Sequence, residues 1–191
     1  LKRGAQTIVN QVTAMKDMVN DFAIYARRPR PGSLQPLDVA ALLRETLELY
    51  ASYPVNVTLA WQAGKCVIRG ETTRLRQVLH NLMQNAVDAC ADRADAAVRI
   101  EAERRETPGH PGERELVLRF CDNGGGFSDA VKLRAFEPYV TTKPKGTGLG
   151  LAIVKKIIDE HKGRIQLDNG VPGGAIVTVT FPLLVEENAA S

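Results

Sequence analysis

The sequence runs to 191 residues, 44% of them hydrophobic, which suffices for one substantial core with a smaller appendage. Its formal charge is +3 with acids and bases spread along the chain, excluding the concentrated basic face of a nucleic-acid or acidic-lipid binder. Cys66, Cys90 and Cys121 lie far apart without a CxxC pairing, and no signal peptide or membrane-length apolar stretch is present.

In chain order, the first thirty residues are expected to form one long helix. Ile8, Val12, Met15, Val19, Phe22 and Ala26 follow the a/d spacing of a helix packed along a seam. Such a stripe needs partners. It suits either a helix lying on the following domain or one arm of a helical hairpin that dimerises into a bundle. Arg28-Pro29-Arg30-Pro31-Gly32 stops it, since proline lacks the amide donor and restricts its predecessor, so residues 31–37 read as a linker.

A second pattern begins at Asp38, a candidate N-cap for a helix through Leu42, Leu43, Leu47 and Tyr50. Residues 55–61 alternate as a half-buried strand, with Cys66-Val67-Ile68 as its expected short partner. An amphipathic helix is predicted from Thr72 to about Ala91, with Leu75, Val78, Leu79, Leu82, Ala86 and Ala89 on its apolar side. Strands are predicted at 97–104 and 115–121 around a Pro/Gly loop at 107–112. A glycine-rich stretch at 123–147 precedes a helix from about Gly148 to His161. A final hairpin, 164–168 and 175–181, turns through Asn169-Gly170 and Gly173-Gly174. Three main helices and a mixed, mainly antiparallel sheet predict an α+β fold, a two-layer sandwich over 38–184 with a tail at 185–191.

Three pieces carry chemistry. Asn81 and Asn85, four apart, share a face of the long helix, where a carboxamide oxygen suits a hard cation such as Mg2+. Two solvated surface asparagines would give the same pattern. Asp122-Asn123-Gly124-Gly125-Gly126-Phe127 follows a strand, so backbone can approach a ligand closely and the acid can accept from an exocyclic amine. Glycine runs also make ordinary turns. Lys145-Gly146-Thr147-Gly148-Leu149-Gly150-Leu151 opens a helix whose free amides suit phosphate, with Lys143 and Lys145 nearby; it is neither a Walker A loop nor a dinucleotide fingerprint.

In this order, NLMQNA, DNGGGF, FEPYVTTK and GTGLGL resemble the N box, first glycine box, F box and second glycine box of the histidine-kinase catalytic domain in the GHKL ATPase superfamily. The resemblance covers about residues 36–183. The leading helix is similar to the second helix of that family's dimerisation and phosphotransfer hairpin, and the FAIYARRPRP exit to nitrogen-regulation-type sensor kinases.

The resemblance implies the Bergerat ATP-binding fold, ATP and Mg2+ as ligands, and transfer of the γ-phosphoryl group to a histidine for relay to a response-regulator receiver domain. It implies that Asn85 ligates Mg2+ with Asn81 in support, and that Asp122 binds the adenine amine in a pocket shaped by Gly124 and Gly126. Gly146, Thr147, Gly148, Leu149 and Gly150 would carry the phosphates beside Lys143 and Lys145, and Phe136 would pack a lid of about 137–147 on the core.

Hydrolysing members place a glutamate base where this chain has Asn81. Asp88 stands where many relatives carry a phosphate-binding lysine, which leaves a lid lysine as its replacement. His80, His110 and His161 lack the acceptor setting of that family, so the acceptor is expected upstream of Leu1 in a longer cytoplasmic-facing protein, dimeric through the first helix. Two alternatives remain open on sequence: a nucleotide-binding signalling module without transfer, and another GHKL ATPase or serine kinase.

Overall fold

A computed structural model describes residues 12–13, 15–16, 19–20, 22–26, 34–141, 143 and 146–184. The expected helix over 1–30 therefore falls largely outside the described residues, as do Lys145, the first three residues of the linker and the tail. The described residues between 12 and 26 are helical, and Val12, Met15, Val19 and Phe22 of the expected seam are exposed. Ile24 and Tyr25 rest against the domain core, and the Lys156 ammonium bonds the Tyr25 carbonyl.

The elements are β1 (Gln35–Asp38), α1 (Val39–Glu48), β2 (Asn56–Trp61), β3 (Val67–Gly70), α2 (Thr72–Ala89), β4 (Ala97–Thr107), β5 (His110–Asp122), α3 (Asp129–Arg134), α4 (Gly150–Glu160), β6 (Arg164–Asn169) and β7 (Ala175–Pro182). A five-stranded sheet has the order β2-β4-β5-β7-β6, antiparallel except for the parallel β2–β4 pair. β1 and β3 form a separate antiparallel pair.

Periodicity explains the layers. α2 buries Leu75, Val78, Leu79, Leu82, Met83, Ala86 and Val87, the alternating steps of three and one that keep side chains on one helical face. Opposite them, alternate residues of the central strands turn inward: Val98, Ile100 and Ala102 from β4, Leu116, Leu118 and Phe120 from β5, Val177, Val179 and Phe181 from β7. α1 and α4 complete the helical layer over this face. The outer face carries cross-strand ion pairs instead, with Arg119–Glu103 and Arg105–Glu115 at 2.7 Å each and Arg164 also on Glu115. The result is the expected two-layer α+β sandwich with a mixed sheet.

Four details differ from expectation. The segment around Val67 pairs with β1, not with β2. Arg104 of β4 explains the detour: its guanidinium bonds the carbonyls of Ala63 (3.0 and 3.1 Å) and Lys65 (3.2 Å), pulling the chain out of the sheet. Cys66 is then fully buried and its carbonyl receives the Val39 amide at the start of α1. The 107–112 loop contracts to Pro108-Gly109, so β4 and β5 run longer than predicted; proline followed by a glycine at φ +78° suits a type II turn. α3 adds a short fourth helix, capped by Ser128. His161 stands at a helix C-terminus, where the dipole favours positive charge, yet it is buried and uncharged. Its Nδ1–H donates to the Ile157 carbonyl at 2.7 Å and its Nε2 accepts from the Glu71 amide at 3.0 Å, while burial pulls its pKa below the usual histidine value. The Asp38 cap stands: its Oδ1 accepts from the amides of Ala40 and Ala41.

Candidate functional site

The sheet and helical layer bring one end of β5, β6, β7, α2 and α4 together. Asp122 ends β5 half-buried, and its Oδ1 accepts from the Gly124 amide at 2.8 Å and the Ala175 amide at 3.1 Å. One carboxylate oxygen thus organises the glycine box and the start of β7, and Oδ2 takes no part in these two bonds. Gly124 packs against Ala89 at the end of α2, and Gly126 against Asn169. Gly174 closes the base: at φ +90°, a Cβ there would sit 1.9 Å from the Asp122 carbonyl oxygen, so only glycine permits this contact.

Two clamps were not foreseen. Asn169 behaves as a strand partner for the glycine box, its Oδ1 accepting from the Phe127 amide at 2.7 Å and its Nδ2 donating to the Phe127 carbonyl at 2.8 Å. Asn123 does the same toward the start of β4, accepting from the Ala97 amide and donating to the Asp95 carbonyl. In sequence Asn169 reads only as a turn residue, and Asn123 as a spacer beside glycines.

On α2, Asn81 and Asn85 are both half-buried one turn apart, as their spacing requires. Asn81 Nδ2 lies 3.5 Å from the Gly150 carbonyl oxygen, the opening of α4. α4 starts without a side-chain cap, and its first internal bond runs from the Ile153 amide to the Leu149 carbonyl. Earlier amides of that turn are free to face an anion. Leu149 is fully buried and anchors this end, with Thr147 Oγ1 accepting from its amide at 3.3 Å. Gly148, at φ +70°, lies against the Tyr139 backbone, and Tyr139 returns an amide bond to the Gly148 carbonyl. A Cβ added at Gly150 would meet nothing within 4 Å, which leaves open space beside the helix start. Phe136 is half-buried against the core, and the Gly146 amide donates to the Lys143 carbonyl.

Lys143 crosses from this segment to α2. Its Nζ lies 2.9 Å from Asn85 Oδ1 and 2.6 Å from Asp88 Oδ2. The Asn85 carboxamide oxygen thus accepts from a cationic group, and an oxygen donor of this kind suits a hard cation such as Mg2+, which takes few protein ligands and keeps waters and phosphate oxygens. Among the described residues no cluster of three or more His, Cys, Asp or Glu offers another metal site. A cleft of about 580 Å³ bounded by Arg105, His110, Glu115, Arg164 and Thr180 opens at the opposite end of the strands and shares no residue with this site.

A sandwich whose glycine box, amide-bearing helix and uncapped helix start converge in this way defines a nucleotide-binding ATPase class. Residues 70–185 match the histidine kinase-, DNA gyrase B- and HSP90-like ATPase family, and the chain belongs to that family. The chain is 36% identical over 177 residues to the nitrogen regulation protein NtrY of Azorhizobium caulinodans, covering 92% of this chain and 23% of that protein. It thus spans about a quarter of that relative's length. The catalytic domain of histidine kinase ThkA, in a nucleotide-free form, superposes with a TM-score of 0.68 at 28% identity, over 78% of this chain and 95% of that one. Full-length ShkA in complex with AMPPNP gives a TM-score of 0.75 at 26% identity, over 95% of this chain and 38% of that one. Among the described residues no helix is long and apolar enough to cross a membrane.

Proposed function

We propose that this chain is the ATP-binding catalytic region of a two-component sensor histidine kinase, and that it transfers the γ-phosphoryl group to a histidine outside residues 1–191, for relay to a response-regulator receiver domain. The observation that carries this is the convergence of Asp122, Asn85 and the uncapped start of α4 on one end of the sheet. Asp122 Oδ2 accepts from the adenine amine, which selects adenine over guanine. Gly124 and Gly126 let the base lie close to the backbone. The amides at Gly148, Gly150 and the first turn of α4 hold the phosphates, helped by Lys143, Lys145, Gly146 and Thr147. Asn85 would hold Mg2+, with Asn81 fixing that face of α2 against α4. Bound there, Mg2+ supplies charge neutralisation across the phosphates.

No acid stands at position 81 to activate water, so the residues bind and orient ATP while leaving the γ-phosphoryl group for an incoming imidazole. The chain's own histidines do not suit that role. His161 is buried between α2 and α4, and His110 lies at the far end of β5. His80 packs on Tyr50, whose Oη is 2.8 Å from its Nδ1; burial pushes the Tyr50 phenol up to about 12. The acceptor belongs to a hairpin that the first helix would complete as a homodimer.

The test supplies a separate acceptor hairpin and γ-labelled ATP. Acid-labile label is expected on the hairpin, and none with Asn85→Ala. Nucleotide binding without any labelled hairpin would favour the signalling module that binds ATP without transfer.

A further inference from the structure

Lys143 is held from several sides. Its amide donates to Thr141 Oγ1 at 3.0 Å and its carbonyl accepts from Gly146 at 3.2 Å, which shapes the turn around it. Its ammonium meets an amide oxygen and a carboxylate oxygen, Asn85 Oδ1 and Asp88 Oδ2. The remaining Asp88 oxygen accepts from Gln84 Nε2 at 2.7 Å, so a neighbour on the same helix face steadies the carboxylate. Both partners of the ion pair are 39% exposed, open enough for the ammonium to leave without unfolding anything.

We propose that Asp88 is a positioning residue: with no nucleotide bound it parks Lys143 on Asn85, and the parked ammonium latches the lid to α2. Divalent cation and ammonium then compete for the same amide oxygen. Entry of the cation with a triphosphate releases Lys143 from Asp88, and the multiply charged phosphates, stronger partners than one carboxylate, draw the ammonium to them. The latch and the phosphate contact are thus one side chain in two places, with Asp88 setting the first. This inference rests on reading Asn85 as the metal ligand.

The experiment follows hydrogen exchange of the lid amides around residues 137–147 in the nucleotide-free chain, for wild type, Lys143→Met, Asp88→Asn and the double variant. Each single variant should speed lid exchange by about three- to fivefold, the size of a partly exposed ion pair, and the double variant no further. Mg2+ alone should speed exchange in wild type and leave Lys143→Met unchanged. Unaltered lid exchange in Lys143→Met, or additive effects in the double variant, overturns the latch; if Asp88→Asn fails to fold, Lys143→Met and Lys143→Gln still decide it. Calorimetry with Mg2+ and a β,γ-imido ATP analogue separates the two readings. Lost affinity in Asn85→Ala beside unaltered lid exchange in Lys143→Met sinks the latch and keeps the metal reading. Full affinity in Asn85→Ala sinks the metal reading and with it the competition proposed here.

Discussion

The Asp122 carboxylate is divided between two tasks, and a substitution can separate them. Oδ1 orders the glycine box and β7 through two amides, and Oδ2 is the proposed adenine acceptor. Asp122→Asn keeps an oxygen for the amides but replaces the second acceptor with a donor. ATP affinity should fall by roughly ten- to a hundredfold, the worth of a hydrogen bond to a charged group, while the unfolding midpoint stays near wild type. Calorimetric titration paired with thermal unfolding reads both; an equal loss in each would make Asp122 structural only. Gly174→Ala should do the reverse of selective damage. Its Cβ would meet the Asp122 carbonyl at 1.9 Å in a backbone that side chains rarely adopt, so stability should drop by about 2 kcal/mol or more, seen in urea unfolding, and ATP binding should weaken too. At this scale the sequence was uneven. Asp122 and the glycines stood out because few other residue types accept those contacts. Asn169 and Asn123 did not, because their clamps reach 42 and 26 residues along the chain and leave no local signature.

At the scale of elements, hydrophobic period placed α1, α2, α4 and the strands of the main sheet, since each buries a stripe set by its own backbone geometry. Partner choice was less legible. β2 and the segment at Val67 are close in sequence and look like a hairpin, yet Arg104 ties down the intervening carbonyls and sends the two strands to different sheets. A side chain some forty residues away decides this, beyond the reach of any window reading. The helices are joined by a second long-range contact, the nearly buried Arg74–Glu160 pair linking the start of α2 to the end of α4, with side-chain exposures of 8% and 16%. Burial raises the Glu160 pKa against the opposing pull of Arg74, so Glu160 left alone would take up a proton more readily than usual. Arg74→Met should therefore destabilise by about 3 kcal/mol, the lower end for one-sided removal from a buried pair. The loss should shrink in mildly acidic buffer, where a protonated Glu160 no longer needs its partner. Urea unfolding at two pH values measures this, and a loss independent of pH would mean that packing of the Arg74 stem accounts for the effect.

For the whole molecule, His161 is the polar group on which the domain's layers meet. Its ring bonds the start of α2 through Glu71 and the body of α4 through Ile157, and stands edge-on to Phe181 of β7 at 6.5 Å between centroids. Burial holds its folded pKa below the ordinary 6.5, with nearby Arg74 pushing the same way and Glu71 opposing. The unfolded chain thus binds this proton first as pH falls. Its contribution to stability is complete above pH 6.5 and is lost as pH drops through the lower folded value. Glu160 titrates in the opposite sense: its folded pKa lies above 4.5, so protonation favours the fold there and partly offsets the histidine at lower pH. A net fall in melting temperature is expected from about pH 7.5 to pH 5.5, the interval that brackets the ordinary histidine value. His161→Gln should melt lower at every pH, having lost the fitted ring, but with a shallower slope, because the His161 proton no longer contributes. If the two proteins show the same slope, the His161 proton does not couple to folding and its neutral, two-sided hydrogen bonding is not what holds the layers together.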